Sequence, residues 1–176
     1  MKKLGFVFPG QGSQNVGMLK DFANEKVVKR TFEEASDTIG YDVWSLIHNG
    51  TKTQINQTQT TQPIILCCSI ALWRLWSAQG GPAPSYLAGH SLGEWSALVC
   101  SGSVSFSDAL SIVETRGALM QAAVPEGKGA MAAIIGLEFD RVIMCCQEAQ
   151  QDDEVTAANF NAPRQVVIAG SSEGVA

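Results

Sequence analysis

The order of apolar and polar positions in the first part of the chain predicts a strand followed by helices. Residues 4–8 form an uninterrupted apolar run, which is typical of a buried strand. Residues 16–46 carry apolar side chains at helical spacing, whereas residues 51–61 are polar and rich in threonine and glutamine. We therefore expect helices over the former range and a loop over the latter. Residues 64–78 are apolar nearly all round and follow Pro63, so we predict a buried helix that starts at this proline.

The second part of the chain predicts one more long helix and then a change of architecture. Residues 107–124 repeat apolar side chains at helical spacing, so one face of this helix should pack on a core. Beyond it, the pattern predicts a strand at 130–135, a helix at 138–150, and strands at 155–160 and 165–169. This β-α-β-β order resembles the opening of a ferredoxin-like domain.

The composition fits a folded protein and argues against several classes of partner. Hydrophobic residues make up 45% of the 176 positions and charged residues 16%, which is too apolar for a disordered chain. The net charge of −5 argues against nucleic acid as a partner. The longest apolar stretch, residues 63–73, stops at Arg74 and is too short to span a membrane. No targeting signal is visible, so we expect a cytoplasmic protein.

The cysteines do not form a disulfide framework. Their number is odd and no C-x-x-C motif occurs, so we expect buried free thiols and assign no metal ligands. A cysteine nucleophile is disfavoured, because none of the five lies on a loop with activating neighbours. They are Cys67, Cys68, Cys100, Cys145 and Cys146.

The strongest candidate for chemistry is the stretch G-H-S-L-G at residues 89–93. Its pattern, G-x-S-x-G, presents a serine hydroxyl as a nucleophile on a sharp strand-to-helix turn. Residues 85–88 can form the strand and residues 92–99 the helix. Free N–H groups at the helix N-terminus favour the oxyanion that forms when Ser91 attacks a carbonyl group. The alternative is a glycine-flanked serine in an ordinary turn.

Two further features add to this candidate. Residues 9–14, with the sequence P-G-Q-G-S-Q, follow the first strand and can point backbone N–H groups into a site. A phosphate-binding loop is the poorer interpretation, because no Gly-Lys-Ser/Thr follows. Arg116 borders the apolar stripe of its helix, between Val113 and Met120. Spacing alone favours an arginine whose stem covers apolar surface while its charged group reaches water.

These motifs carry a family resemblance. F-P-G-Q-G-S-Q near the N-terminus and G-H-S-L-G-E in mid-chain resemble the malonyl-CoA:acyl carrier protein transacylase family, and most of all its stand-alone bacterial type. The further matches occur in family order, with one minor departure at Trp95, where tyrosine is usual. They are T-Q-P at 61–63, Arg116 within E-T-R-G, G-A-M-A-A at 129–133, and N-F-N-A-P at 159–163 with Gln165.

The resemblance implies a fold and a reaction. It implies an α/β-hydrolase-like large domain over residues 1–127 and an inserted ferredoxin-like small domain over residues 128–176, both incomplete at Ala176. It also implies malonyl transfer from malonyl-CoA to the phosphopantetheine thiol of acyl carrier protein in fatty acid biosynthesis. A malonyl ester on Ser91 would be the intermediate. No cofactor is implied, because both thioesters are substrates, and we expect a monomer without nucleic-acid or membrane partners.

The resemblance also assigns roles to individual residues. Backbone N–H groups of Gln11 and Leu92 would form the oxyanion hole, in agreement with the rule that one donor follows the nucleophile. Arg116 would bind the malonyl carboxylate through two parallel hydrogen bonds, with Gln11 as a second substrate contact. His90 and Asn161 would support the site.

One departure from the family is large. The family's catalytic histidine lies downstream of the small domain, and this sequence stops at Ala176. We expect His48 to lie on the surface and do not assign the base role to His90, since neighbouring side chains on a tight turn diverge. The sequence is therefore expected to be an inactive fragment, or part of a longer protein whose remaining residues supply the histidine.

Rival functions stay open at this point. A serine hydrolase or thioesterase shares G-x-S-x-G, but it needs neither the Arg116 clamp nor the N-terminal glycine-rich loop. A non-catalytic module that binds the carrier protein would form no covalent adduct on serine. A methylmalonyl transferase would use the same machinery, although Leu92 within G-H-S-L-G favours malonyl groups.

Overall fold

The computed structural model describes residues 3–124, 127–150 and 153–176. The chain divides into two compact units, Met1–Gln121 and Ala122–Ala176. Helices and strands occur in both units, so the α/β class predicted from the sequence is confirmed. Within the described residues, no helix is both long enough and apolar enough to cross a bilayer.

The first unit contains a short parallel sheet, six α-helices and one short 3-10 helix (Lys20–Phe22) among its described residues. The two strands pair in parallel, with Phe8 opposite Gly89 at the end of the pair. A connection built of helices separates them in sequence, as parallel pairing requires. The elements are β1 (Gly5–Phe8), α1 (Lys26–Ile39), α2 (Val43–Asn49), α3 (Lys52–Asn56), α4 (Thr58–Ala78), β2 (Tyr86–Gly89), α5 (Leu92–Cys100) and α6 (Phe106–Ala123).

The core of the first unit is organised around α4. Its side chains are buried on most sides, as its apolar sequence predicts, and they pack with buried residues of α1, α2 and α6. Phe6 of β1 makes an edge-on contact with Trp73 of α4 at 5.4 Å between ring centroids. The first strand is therefore anchored on the central helix, which fixes the position of the loop that follows the strand.

The predicted loop at residues 51–61 is wrong, because this segment is helical. Thr51 and Gln54 form a capping box that starts α3, and α4 begins at Thr58 rather than at Pro63. Ile55 and Gln62 are buried, so packing against the core outweighs the polar composition that suggested a loop.

His48 is another correction, since it is half-buried rather than a surface residue. Its ring stacks on Trp44 at 4.1 Å between centroids, and its Nδ1 lies 2.8 Å from the carbonyl oxygen of Trp44. The histidine thus belongs to the packing of α2, where its neighbouring N-G dipeptide suggested an exposed turn.

The second unit contains an antiparallel sheet with a helix on one face. Its strand order is β3-β5-β4, so β5 is central, and the predicted β-α-β-β order is confirmed. Val142 and Cys146 of the helix pack with Val155, Val166 and Ile168 of the sheet. The elements are β3 (Gly129–Ile135), α7 (Phe139–Ala149), β4 (Val155–Ala162), β5 (Gln165–Ser171) and α8 (Ser172–Val175).

Candidate active site

Ser91 lies on a sharp turn between β2 and α5. The strand ends at Gly89, the helix begins at Leu92, and Ser91 has φ 52° and ψ −105°. A positive φ is costly for a residue that carries a Cβ, and such strain persists only where the surrounding structure enforces it. This backbone geometry is the one that the G-x-S-x-G pattern predicts, and the Ser91 side chain is exposed.

The two glycines of the motif make this turn possible. A Cβ on Gly89 would collide with the backbone of Gly93, which approaches it from the first turn of α5. A Cβ on Gly93 would lie 2.7 Å from the carbonyl carbon of Phe8 at the end of β1. Real Cβ atoms do not approach backbone so closely, so the helix can contact both strands only because these side chains are missing.

The loop after β1 lies against the same turn. The backbone N–H of His90 donates to the carbonyl oxygen of Phe8 at 3.2 Å, and a Cβ on Gly10 would be 2.9 Å from the carbonyl oxygen of His90. Gln11 follows Gly10 directly, and its side-chain amide donates to the hydroxyl of Thr58 at 3.2 Å. Parallel pairing therefore brings the predicted loop and the predicted nucleophile to one end of the sheet.

Leu92 is buried and is the first residue of α5. The N–H groups in the first turn of a helix have no acceptor within the helix, and they carry the positive end of its dipole. The N–H of Leu92 is therefore in the sequence position that an oxyanion-hole donor requires. Its pairing with the N–H of Gln11 in an oxyanion hole stays a prediction.

Arg116 reaches Ser91 from α6. Its Nη2 donates a hydrogen bond to the Ser91 hydroxyl at 3.0 Å, and its Nη1 donates to the side-chain oxygen of Gln62 at 2.6 Å. Helix α6 can lie this close to α4 because of Gly117, where a Cβ would be 2.7 Å from the Cα of Gln59. The alternative of an arginine that merely covers apolar surface does not agree with these contacts.

The charge of Arg116 has no acidic partner within the described part of the chain. The ion pairs found there join Arg74 to Glu34 and Arg164 to Glu138. A half-buried guanidinium with neutral hydrogen-bond partners retains its full positive charge. The position next to Ser91 is therefore suited to an anionic substrate group, and a carboxylate has the matching planar geometry.

Gln62 is a site residue that the sequence reasoning missed. It is fully buried in α4, although glutamine is usually exposed, and it contacts Arg116 over a separation of 54 residues. The T-Q-P match at residues 61–63 was the available signal, although no role was assigned to its glutamine. Nothing local in the sequence could pair it with an arginine on a helix two elements further along.

The remaining predicted site residues are placed but not tested. His90 belongs to the strand-to-helix turn, and Asn161 lies in β4 of the second unit, so the supporting roles of both stay predictions. Among residues 3–124, 127–150 and 153–176, no group of three or more histidine, cysteine, aspartate or glutamate side chains is arranged to hold a metal ion.

The cysteines offer no competing nucleophile in α4. Burial raises the pKa of Cys68 to about 12, and burial also raises the pKa of Cys67. Both thiols therefore stay protonated at neutral pH. Cys145 differs from the expectation of buried thiols, because it is exposed on α7.

The acyl transferase domain family matches residues 5–176, which is nearly the whole chain. The chain belongs to the acyl transferase family. Known relatives of this acyl transferase agree with that assignment. A protein of Escherichia coli K12 named malonyl CoA-acyl carrier protein transacylase is 54% identical over 176 residues, covering 99% of this chain and 57% of its own length. The protein of the same name from Bacillus subtilis strain 168 is 42% identical, and the match covers 99% of this chain and 56% of that protein.

Solved structures of similar proteins share the fold. A malonyl-transacylase in complex with its type II PKS acyl-carrier protein superposes with a TM-score of 0.94 at 53% identity, covering 99% of this acyl transferase and 57% of that chain. FabD from Acinetobacter baumannii superposes with a TM-score of 0.93 at 55% identity. The match covers 98% of this chain and 55% of the FabD chain. The chain thus spans little more than half the length of the relatives it matches.

Proposed function

We propose that this acyl transferase transfers a malonyl group from malonyl-CoA to the phosphopantetheine thiol of acyl carrier protein, as part of fatty acid biosynthesis. The proposal rests above all on the 3.0 Å hydrogen bond between Arg116 Nη2 and Ser91 Oγ. This contact puts a carboxylate-binding cation beside a candidate nucleophile, which is what an acyl group with a free carboxylate requires. The relatives named as malonyl transacylases, and the complex of one of them with an acyl carrier protein, support the same substrates.

The finer architecture is part of the proposal. Residues 1–127 are proposed to belong to an α/β-hydrolase-like domain, because a parallel strand pair leads into a G-x-S-x-G turn. Residues 128–176 are proposed to belong to a ferredoxin-like domain inserted into it. Their elements follow the order β-α-β-β, and the three strands form an antiparallel sheet. Such a protein acts in the cytoplasm, as a monomer and without a cofactor.

In the first step, Ser91 Oγ attacks the thioester carbonyl carbon of malonyl-CoA. A carbon–oxygen bond forms while a general base accepts the hydroxyl proton, since a serine at its own pKa is a weak nucleophile. The N–H groups of Gln11 and Leu92 stabilise the oxyanion, a contribution that is among the largest in acyl transfer. The carbon–sulfur bond then breaks, and CoA leaves as a thiol once its sulfur has taken up a proton.

In the second step, the phosphopantetheine thiol of the carrier protein attacks the malonyl ester. A carbon–sulfur bond forms, the ester bond to Ser91 breaks, and the serine oxygen regains its proton. Arg116 holds the malonyl carboxylate in both steps, so the guanidinium exchanges its contact with the serine hydroxyl for the substrate. This exchange releases the hydroxyl for attack when the correct substrate binds.

The test is an intact mass spectrum before and after addition of malonyl-CoA. Because the chain spans 57% of the length of the E. coli relative, the experiment uses a full-length form, meaning this chain joined to the remaining part of that relative's sequence. We expect a gain of one malonyl group per protein, followed by its transfer to added carrier protein. Release of free malonate without transfer would instead indicate a hydrolase, and the absence of any adduct would contradict the proposal.

A further inference from the structure

Gln62 uses both ends of its side-chain amide within the site. Its Oε1 accepts from Arg116 Nη1 at 2.6 Å, and its Nε2 lies 3.3 Å from the sulfur of Met120, one helical turn further along α6. Arginine has only donors, so the amide oxygen must be the atom that faces it. The residue is fully buried, where a polar group is costly unless it is hydrogen-bonded. The amide is thus fixed in one orientation by α6.

Arg116 has a neutral hydrogen-bond partner in Gln62, whereas Arg74, another partly buried arginine of the same unit, has a charged one. Arg74 pairs with the carboxylate of Glu34, which compensates its charge. A glutamate at position 62 would fit the same space and would hold Arg116 more tightly, because a charge-assisted hydrogen bond is stronger than a neutral one. It would also cancel the charge that a substrate carboxylate needs. An amide therefore orients the guanidinium without neutralising it.

We propose that Gln62 is a positioning residue that determines acyl-group specificity by keeping Arg116 both oriented and electrostatically uncompensated. The inference rests on the proposed function, and it makes position 62 the point at which preference for acyl groups that end in a carboxylate is set. A carboxylate at position 62 would repel the malonyl carboxylate across the shared guanidinium. It would leave the binding of an acetyl group, which carries no charge, almost unchanged.

The experiment measures binding rather than turnover. Dissociation constants for malonyl-CoA and acetyl-CoA are determined by calorimetry in the full-length form carrying Ser91→Ala, which prevents acyl transfer. We expect Gln62→Glu to reduce the preference for malonyl-CoA at least tenfold and to change the acetyl-CoA constant less than threefold. Gln79→Glu is the matched control, because it adds the same charge at the exposed C-cap of the same helix, far from Arg116, and it should leave the preference intact.

A second variant is needed in case the buried charge of Gln62→Glu prevents folding. Gln62→Met has a similar size and no charge, so we expect it to weaken malonyl-CoA binding several-fold through a less ordered Arg116, again without affecting acetyl-CoA. Equal losses for both ligands would mean that Gln62 is only structural, and an unchanged preference in both variants would overturn the inference. If the parent protein itself does not prefer malonyl-CoA, the carboxylate clamp of the proposed function fails, and the inference fails with it.

Discussion

The guanidinium of Arg116 donates a hydrogen bond to the hydroxyl of Ser91 over 3.0 Å, although the two residues are 25 positions apart. One residue lies at the start of α5 and the other in the middle of α6, and Gln62 of α4 holds the second nitrogen of the guanidinium. The proposed carboxylate-binding group thus contacts the proposed nucleophile directly, and each member of this arrangement can be tested separately.

Replacement of the nucleophile gives the most direct test. Ser91→Ala should abolish the malonyl adduct in the full-length form, because no other hydroxyl lies on the strained turn at residues 89–93. The adduct is measured by intact mass and located by peptide mapping. Ser77→Ala is the control, since this serine of α4 is exposed and its hydroxyl donates to the carbonyl oxygen of Trp73 in its own helix. An adduct that survives Ser91→Ala would refute the assignment.

Replacement of Arg116 should affect malonyl transfer and acetyl transfer to different extents. Arg116→Met should lower the rate of malonyl transfer at least about 100-fold, because two hydrogen bonds to a charged group contribute about 1.5–3 kcal/mol each and tenfold corresponds to about 1.4 kcal/mol. Acetyl transfer should change far less. Both rates are measured by single-turnover acylation, with Arg30→Met on the exposed face of α1 as the control. Equal losses for the two donors would show that Arg116 is not a carboxylate clamp.

Local signals account for what the sequence predicted well. The turn at residues 89–93 was predictable because a glycine on each side of Ser91 is a steric requirement of the turn itself. The part of helix α4 after Pro63 was predictable because its positions are apolar nearly all round, whereas its polar first turn was not predicted. Long-range packing explains the errors: residues 51–61 are helical because Ile55 is buried in the core, and Gln62 is buried because it binds an arginine 54 positions away. The capping box of Thr51 and Gln54 was a local sign of α3, whereas the residues that bury Ile55 and Gln62 lie outside any local window.

Close packing at Gly93 leads to a prediction about stability. Gly93→Ala should destabilise the first unit by about 1–3 kcal/mol or more, because the new methyl group meets the backbone of β1, which cannot rotate away as a side chain could. Urea unfolding followed by tryptophan fluorescence measures the change. Gly5→Ala, in β1 itself, is the matched control. Its Cβ would meet only ordinary contacts, at 3.9 Å from the carbonyl oxygen of Tyr86. Equal effects of the two substitutions would contradict the proposed contact.

The buried thiols of α4 predict how stability depends on pH. Burial raises the pKa of Cys68 from 9.0 to about 12, and the unfolded chain exposes this thiol, so its pKa there stays near the ordinary value. Below pH 9 both states keep the proton and stability is unaffected. Between about pH 9 and 12 the unfolded state loses its proton first, so the free energy of unfolding falls by about 1.4 kcal/mol per pH unit for this thiol.

Urea unfolding at pH 7 and at pH 10.5 tests this sign. Cys68→Ala should lower stability at both values, because it leaves a cavity in the core, but it should flatten the decline above pH 9. Cys145→Ala is the control for removal of a thiol outside the core, because Cys145 is exposed on α7 and its loss leaves no buried cavity. A decline that is equally steep in the Cys68→Ala variant would mean that the buried thiol does not titrate in the way its environment implies. The loss of stability would then have to come from other groups, of which Tyr41 is the first to examine, because burial and the charge of Glu114 raise its pKa to about 12.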